Sequence, residues 1–257
     1  MPIKIITAMS LKKYVPNLIT LCNLASGLIA LDYAYNTNLV MAFVWVCIGI
    51  FFDFWDGFFA RIFKAQSPIG LQLDSLADMV TSGVVPGVAM FQLLANIADL
   101  QDDYNLSSDN FYLGILPYAG FIITLASCYR LAKFNVDTRQ TDSFIGLPTP
   151  ANALFIMSLP IILHHSDGEG FIFDTLSNPF VLIGISLLSA FMLNAEIPLF
   201  SLKVKYFNWE TNKIQVIFLI LSVLLLFFFQ YLGIPLIILS YVVLSVINNK
   251  FLTKAAH

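Results

Sequence analysis

Asp53-Phe54-Trp55-Asp56-Gly57-Phe58-Phe59-Ala60-Arg61, then eight residues, then Gly70-Leu71-Gln72-Leu73-Asp74-Ser75-Leu76-Ala77-Asp78, sets four carboxylates into sequence that otherwise reads as membrane helix. An ionised acid in hydrocarbon costs from about 2.5 kcal/mol upward, so a group of them requires water, a cation or a chemical role. At about 100° per residue, Asp53, Asp56, Gly57 and Ala60 share one face of a helix predicted over 39–63. Asp74 and Asp78, at i and i+4, share a face of the next helix. Pro68 makes Ser67 a poor helical residue and Gly70 loosens the connection, so the chain turns between Arg61 and Asp74. Pairs of carboxylates from adjacent antiparallel helices are therefore expected to converge.

Converging carboxylates repel one another unless cations join them. Hard oxygen ligands with no local His or Cys favour Mg²⁺ or Mn²⁺ over zinc, and the group suits two ions about 3.5–4 Å apart, an arrangement fitted to phosphoryl displacement. Gly57 and Ala60 leave the helix face open to a bulky ligand. Arg61 stands where it can pair with phosphate.

The remainder of the chain supports a membrane setting. Its 257 residues are 58% hydrophobic and 11% charged, with a mean hydropathy of +0.82. A soluble core cannot hide that much apolar surface. Apolar segments run over 18–34, 39–63, 71–95, 111–132, 151–163, 180–197, 214–232 and 234–251. They predict an all-α, polytopic helical bundle of about eight transmembrane spans, given the ~20 residues a bilayer requires. Gly233 and Pro235 suit a tight turn between the last two, which also read as one long bent segment. All 13 Lys and Arg fall on one side of this arrangement, from Lys4, Lys12 and Lys13 through Arg61, Lys64, Arg130, Lys133 and Arg139 to Lys250 and Lys254. The positive-inside rule makes that side cytoplasmic, with both termini inside. The acids then lie roughly 8–15 Å deep from the cytoplasmic face, at 1.5 Å per residue. Asn17, Thr20 and Asn23 enter the first span from the same side.

The whole of 1–257 reads as one integral membrane domain, with a juxtamembrane segment over 1–15, a core over 16–200 and two additional helices within 214–251. The segment before Tyr14 alternates basic and apolar residues, as a surface-lying stretch or as simple positive flanking sequence. A cleaved signal peptide is not expected, because the first span lacks a small-residue cleavage site. Cys22, Cys47 and Cys128 are isolated in apolar segments and imply neither a disulfide framework nor a metal site. His164 and His165 fall at the opposite end from the acids. Nothing in the charge pattern suggests a nucleic-acid surface.

The quoted run resembles the signature of the CDP-alcohol phosphotransferases, D-x-x-D-G-x-x-A-R, about eight residues, then G-x-x-x-D-x-x-x-D, and matches it at every defining position. Three further segments resemble the phosphatidylserine synthase branch of that family. They are Pro16-Asn17-Leu18-Ile19-Thr20-Leu21-Cys22-Asn23 with Gly27; Asp74-Ser75-Leu76-Ala77-Asp78 through Pro86; and Arg130-Leu131-Ala132-Lys133-Phe134-Asn135, followed by Phe144-Ile145-Gly146-Leu147-Pro148. Departures are modest. Lys133 stands where Arg is usual, Ser82 where Phe is common, and the branch's later segment is only loosely echoed over 192–203, including Glu196.

The resemblance implies a six-helix catalytic core, a homodimer, and a cell (inner) membrane enzyme whose site faces the cytoplasm. It implies CDP-diacylglycerol as donor, L-serine as acceptor, and a metal-dependent displacement of CMP. Asp53, Asp56, Asp74 and Asp78 would then hold metal, with Asp78 also the general base. Asn17, Thr20, Asp56, Gly57, Ala60, Arg61, Ser67 and Gly70 would receive the CDP-lipid. Asn23, Arg130, Lys133 and Asn135 would meet the serine or a lipid phosphate. Capping and interhelical hydrogen bonding are the alternative for Asn17, Thr20 and Ser67, and snorkelling for Arg130 and Lys133. Another acceptor, such as glycerol 3-phosphate or inositol phosphate, remains open. A cation-coupled transporter is the alternative from a different class.

Overall fold

The computed structural model describes residues 14–104, 114–137, 144–166, 168–200 and 209–255. The N-terminal segment over 1–13, Arg139, Lys203 and Lys205 lie outside the described residues, as does 105–113 at the start of the predicted fourth span.

Each predicted apolar segment, where described, falls largely on helix, although 180–197 outruns its helix, which ends at Asn194. The order is α1 (Val15–Tyr35), α2 (Leu39–Ile62), α3 (Pro68–Asp78), a π-helical turn (Met79–Val84), α4 (Val85–Tyr104), a 3₁₀ turn (Leu116–Gly120), α5 (Phe121–Val136), α6 (Thr149–His164), the short α7 (Phe171–Leu176), α8 (Pro179–Asn194), α9 (Trp209–Phe229), a 3₁₀ turn (Gln230–Leu232) and α10 (Gly233–Ala255). Two-residue strands, β1 (Phe144–Ile145) and β2 (Pro198–Leu199), pair antiparallel with Phe144 opposite Leu199. The protein is an all-α membrane bundle, and this pair is a local clasp between loops.

Among the described residues, length and composition make four helical stretches long enough to cross a bilayer: Val15–Tyr35, Leu39–Ile62, Pro68–Ile97 and Asn212–Asn249. The last, 38 residues, is broken by the 3₁₀ turn, where Gln230 takes φ +47°. Its halves fold back on each other. Phe218, midway along α9, lies 5.6 Å from the ring of Tyr241, midway along α10, and a Cβ on Gly233 would meet the Leu225 carbonyl oxygen at 2.6 Å. Glycine at the start of α10 is what lets the backbones approach. The segment over 151–163 is short, as its sequence suggests, and Thr149 and His164 extend it to 16 residues.

Caps explain the joint that matters. Asn38 accepts the Met41 N–H at 3.2 Å and opens α2. At the other end Lys64 adopts φ +51°, while Ala65 N–H reaches the Ala60 carbonyl at 2.9 Å and Lys64 N–H the Arg61 carbonyl at 3.2 Å. This paired closure is a Schellman turn with Lys in the place glycine usually takes. Ser67 then caps α3, accepting the Gly70 N–H at 3.0 Å, with Pro68 in the first turn where its missing N–H costs nothing. The chain thus reverses within a few residues and sets α3 beside α2.

The main apolar core joins α1, α2, α4, α6 and α8 through Ala30, Ala34, Val46, Met90, Leu94, Ile156, Met157 and Leu182. Small residues let the first helices approach closely, as membrane packing favours. A second cluster, Leu147, Leu199, Phe200, Phe218 and Tyr241, seats the C-terminal hairpin against the β1–β2 clasp.

Candidate active site

Asp53 and Asp56 project from the last turns of α2, and Asp74 from α3. Carboxylate oxygens of these three residues lie within 4.8 Å of one another. Their mutual approach follows from the tight α2–α3 reversal. Asp56 is 4% exposed and accepts a 2.5 Å hydrogen bond from the Thr20 hydroxyl on α1. Asp74 Oδ1 is buried with no hydrogen-bond partner among the described residues. An orphaned anionic oxygen inside an all-oxygen cluster fits a hard divalent cation.

Asp78 stands one turn beyond Asp74, outside the mutual set of three. It is 9% exposed, and Asn23 Nδ2 donates to its Oδ1 at 3.1 Å. The family resemblance sets Asp78 apart as general base, and the fold gives it a partner of its own. Directly after it the helix widens into the π turn Met79–Val84, with the Val85 N–H bonded to the Val80 carbonyl. Pro86 explains the widening, since it offers no N–H to Ser82. Thr124 on α5 donates to the Gly83 carbonyl at 3.0 Å. π turns of this kind concentrate at functional sites.

A cavity of about 600 Å³ opens on the cluster. Its walls include every residue that the family resemblance assigns to the CDP-lipid: Asn17, Thr20, Asp56, Gly57, Ala60, Arg61, Ser67 and Gly70. Gly57 faces open space, with nothing within 4 Å of where a Cβ would stand. Gly70 is different, because a Cβ there would approach Asn17 Oδ1 and Ser67 Oγ, each at 3.2 Å. The cavity wall also takes in Ala65, Gln66 and Leu71, which no motif singled out. Thr20 lines the cavity but spends its proton on Asp56, and it also approaches the Pro16 carbonyl oxygen at 3.1 Å. Ser67 lines the cavity while its oxygen caps α3.

The residues expected to meet the acceptor are dispersed. Asn23 is fully buried and turned to Asp78. Arg130 is buried on α5, with Asp78 and Tyr241 as electrostatic neighbours, its Nε without a hydrogen-bond partner among the described residues and its guanidinium 5.9 Å from the Phe134 ring. Lys133 pairs with Glu196 at 3.3 Å, at a half-exposed position. Asn135 exchanges hydrogen bonds with Ser75, at 2.9 and 3.1 Å. Ser75 follows Asp74 directly, and only the fold reveals that it ties α3 to α5. A further cavity of about 590 Å³, lined by His165, Glu169 and Tyr231, holds none of the motif residues.

A membrane helical bundle whose converging carboxylates meet a cavity lined by Asp56, Asp74 and Arg61 fits a class of enzyme that handles phosphate esters of lipids. Residues 13–193 match the CDP-alcohol phosphatidyltransferase family, and the chain belongs to that family. It is 32% identical over 159 residues to the CDP-diacylglycerol–serine O-phosphatidyltransferase of Bacillus subtilis, covering 58% of this chain and 80% of that protein. The Helicobacter pylori protein of the same name is 35% identical over 144 residues, about half of each chain at 55%. An archaetidylserine synthase of Methanothermobacter thermautotrophicus is 29% identical over 175 residues, 67% of this chain and 65% of the other.

Proposed function

We propose that this enzyme transfers the phosphatidyl group of CDP-diacylglycerol to the hydroxyl of L-serine, yielding phosphatidylserine and CMP. The observation that carries the reading is the set of carboxylates from Asp53, Asp56 and Asp74, within 4.8 Å of one another, of which Asp56 and Asp74 line a cavity that also holds Arg61 and open Gly57. The serine acceptor is supported by the names of the relatives and by the Arg130 segment. Transfer to glycerol 3-phosphate or inositol phosphate is the second reading.

Asp53, Asp56 and Asp74 would hold Mg²⁺ or Mn²⁺, as two ions, with Asp78 shared toward the second. Bound metal supplies charge neutralisation on the pyrophosphate. Arg61 offsets the remaining phosphate charge, and Asn17, Thr20, Ser67 and Gly70 seat the nucleotide. Asp78 takes the proton of the serine hydroxyl as its oxygen attacks the phosphorus bearing diacylglycerol. The bond from that phosphorus to the CMP oxygen breaks, and CMP departs with the electron pair. Asn23 orients Asp78 for this step, while Arg130, Lys133 and Asn135 face the acceptor side.

In this reading the catalytic unit is 16–200, with the helices within 214–251 as an addition. The enzyme is a homodimer of the inner membrane with its cavity toward the cytoplasm, which the one-sided distribution of Lys and Arg supports. A cation-coupled transporter would leave Gly57, Ala60 and Arg61 without a purpose.

Purified protein in lipid nanodiscs is given CDP-diacylglycerol, Mn²⁺ or Mg²⁺, and a panel of serine, glycerol 3-phosphate and inositol phosphate, with CMP release as the readout. Serine is expected to be preferred, and Asp78→Asn to lower kcat by about a hundredfold or more. Preference for a phosphorylated acceptor overturns the substrate, and full activity in Asp78→Asn overturns the base.

A further inference from the structure

The segment from Met192 to Phe200 leaves the end of α8 and runs as a strap across the bundle. It is tied to α5 on both sides of Arg130. Asn194 Nδ2 donates to the Ala126 carbonyl at 3.1 Å, and Glu196 pairs with Lys133 at 3.3 Å. It is tied to the loop before α6 by Gly146 N–H to the Ile197 carbonyl at 3.0 Å and Leu147 N–H to the Met192 carbonyl at 2.9 Å. Gly146, at φ +76°, is required there, because a Cβ would meet the Leu193 carbonyl oxygen at 2.5 Å.

The far end of the strap is held by α10. Tyr241 donates its hydroxyl to the Phe200 carbonyl at 2.8 Å, and its ring lies 5.0 Å from that of Phe200. Ser245 Oγ donates to the Tyr241 carbonyl at 2.7 Å and receives the Phe200 N–H at 3.4 Å. Asn249 Nδ2 donates to the Pro198 carbonyl. The match to the family ends at residue 193, so most of the strap and all of this anchorage lie beyond it.

We infer that Tyr241 is a positioning residue for Arg130: the C-terminal hairpin clamps the strap, the strap brackets α5, and the clamp sets the enzyme's affinity for its acceptor. The inference rests on the reading above that the Arg130 side receives the acceptor. Its physical basis is leverage. A long buried cation has many rotamers, and a wall fixed at Ala126 and Lys133 holds the helix that carries it. The α2–α3 cavity contacts neither strap nor hairpin, so the nucleotide lipid is outside the clamp's influence.

The test is steady-state kinetics on the full chain in nanodiscs, comparing wild type, Tyr241→Phe and Ser245→Ala. Tyr241→Phe removes one hydrogen bond while keeping the ring, and the KM for serine is expected to rise about three- to tenfold. The KM for CDP-diacylglycerol and kcat are expected to stay near wild type. Ser245→Ala is expected to shift the same constant in the same direction, and combining Tyr241→Phe with Arg130→Lys to give a non-additive effect. An unchanged serine KM in folded variants overturns the inference. So does a parallel rise in both KM values, or loss of folded protein in both single variants, which would assign the hairpin to stability alone. If the wild type prefers another acceptor, the substrate reading fails by itself, and the clamp is judged on that acceptor's KM.

Discussion

The side-chain amide of Asn23 donates a 3.1 Å hydrogen bond to Oδ1 of Asp78, joining α1 to the end of α3 across 55 positions of sequence. Thr81, in the π turn, donates in return to the Asn23 carbonyl at 3.2 Å. The proposed base is therefore oriented by a helix that carries none of the acids. Asn23→Ala is expected to lower kcat roughly ten- to a hundredfold, the worth of a hydrogen bond to a charged group, with the KM for CDP-diacylglycerol unchanged. CMP release under saturating serine measures it, and a wild-type kcat would remove Asn23 from the mechanism.

Metal binding is expected to be visible without turnover. A cation held by Asp53, Asp56 and Asp74 binds the folded state alone, and at a hundredfold its Kd it adds about 2.7 kcal/mol of stability. Mn²⁺ should raise the apparent Tm of the detergent-solubilised protein, and a chelator should reverse the shift. In Asp56→Asn the shift should shrink or vanish. Retention of the full shift there would move the metal away from the cluster.

Two glycines of α2 are expected to respond in opposite ways. A Cβ on Gly49 would stand 2.6 Å from Thr81 Cγ2 and 2.9 Å from Asn23 Oδ1. Gly49→Ala should cost about 1–3 kcal/mol of stability through overpacking and slow turnover by displacing Asn23. Gly57 has nothing within 4 Å, so Gly57→Ala should raise Tm slightly, by the ~0.5–1 kcal/mol that alanine gains over glycine inside a helix. Gly57→Leu should also fold, while weakening the nucleotide lipid through occupation of the cavity. Thermal melts paired with KM measurements separate the two behaviours.

Much of this molecule is legible from residue type and spacing. The apolar runs locate the long helices but not the short α7 (Phe171–Leu176), and Gly233 marks the last turn. Asp53, Asp56, Gly57 and Ala60 follow helical periodicity, Pro68 and Gly70 announce the reversal, and the cavity gathers what the motif predicts. Residue type and spacing alone, however, do not separate Asp78 from the other acids; only the family resemblance does. Thr20 reads as a ligand for substrate or an interhelical hydrogen bond and Asn23 as an acceptor residue, and the fold turns both toward carboxylates. Lys133 reads as a cation for the acceptor or for snorkelling, and its partner Glu196 lies 63 positions away, in a segment whose match to the branch pattern is weak.

The reason for the division is the range over which each signal acts. Hydropathy, helical period and capping are properties of neighbouring residues, so membrane insertion, helix placement and the convergence of α2 with α3 follow from composition and local chemistry. Hydrogen bonds such as Asn23 to Asp78, Ser75 to Asn135 and Tyr241 to Phe200 join residues far apart in the chain. They form only where packing of buried helices leaves a polar atom no nearer partner. Thus the acids and their hard-metal chemistry are written in one continuous stretch, whereas the acid set apart from the others, the residue that orients it and the clamp on Arg130 come from tertiary packing.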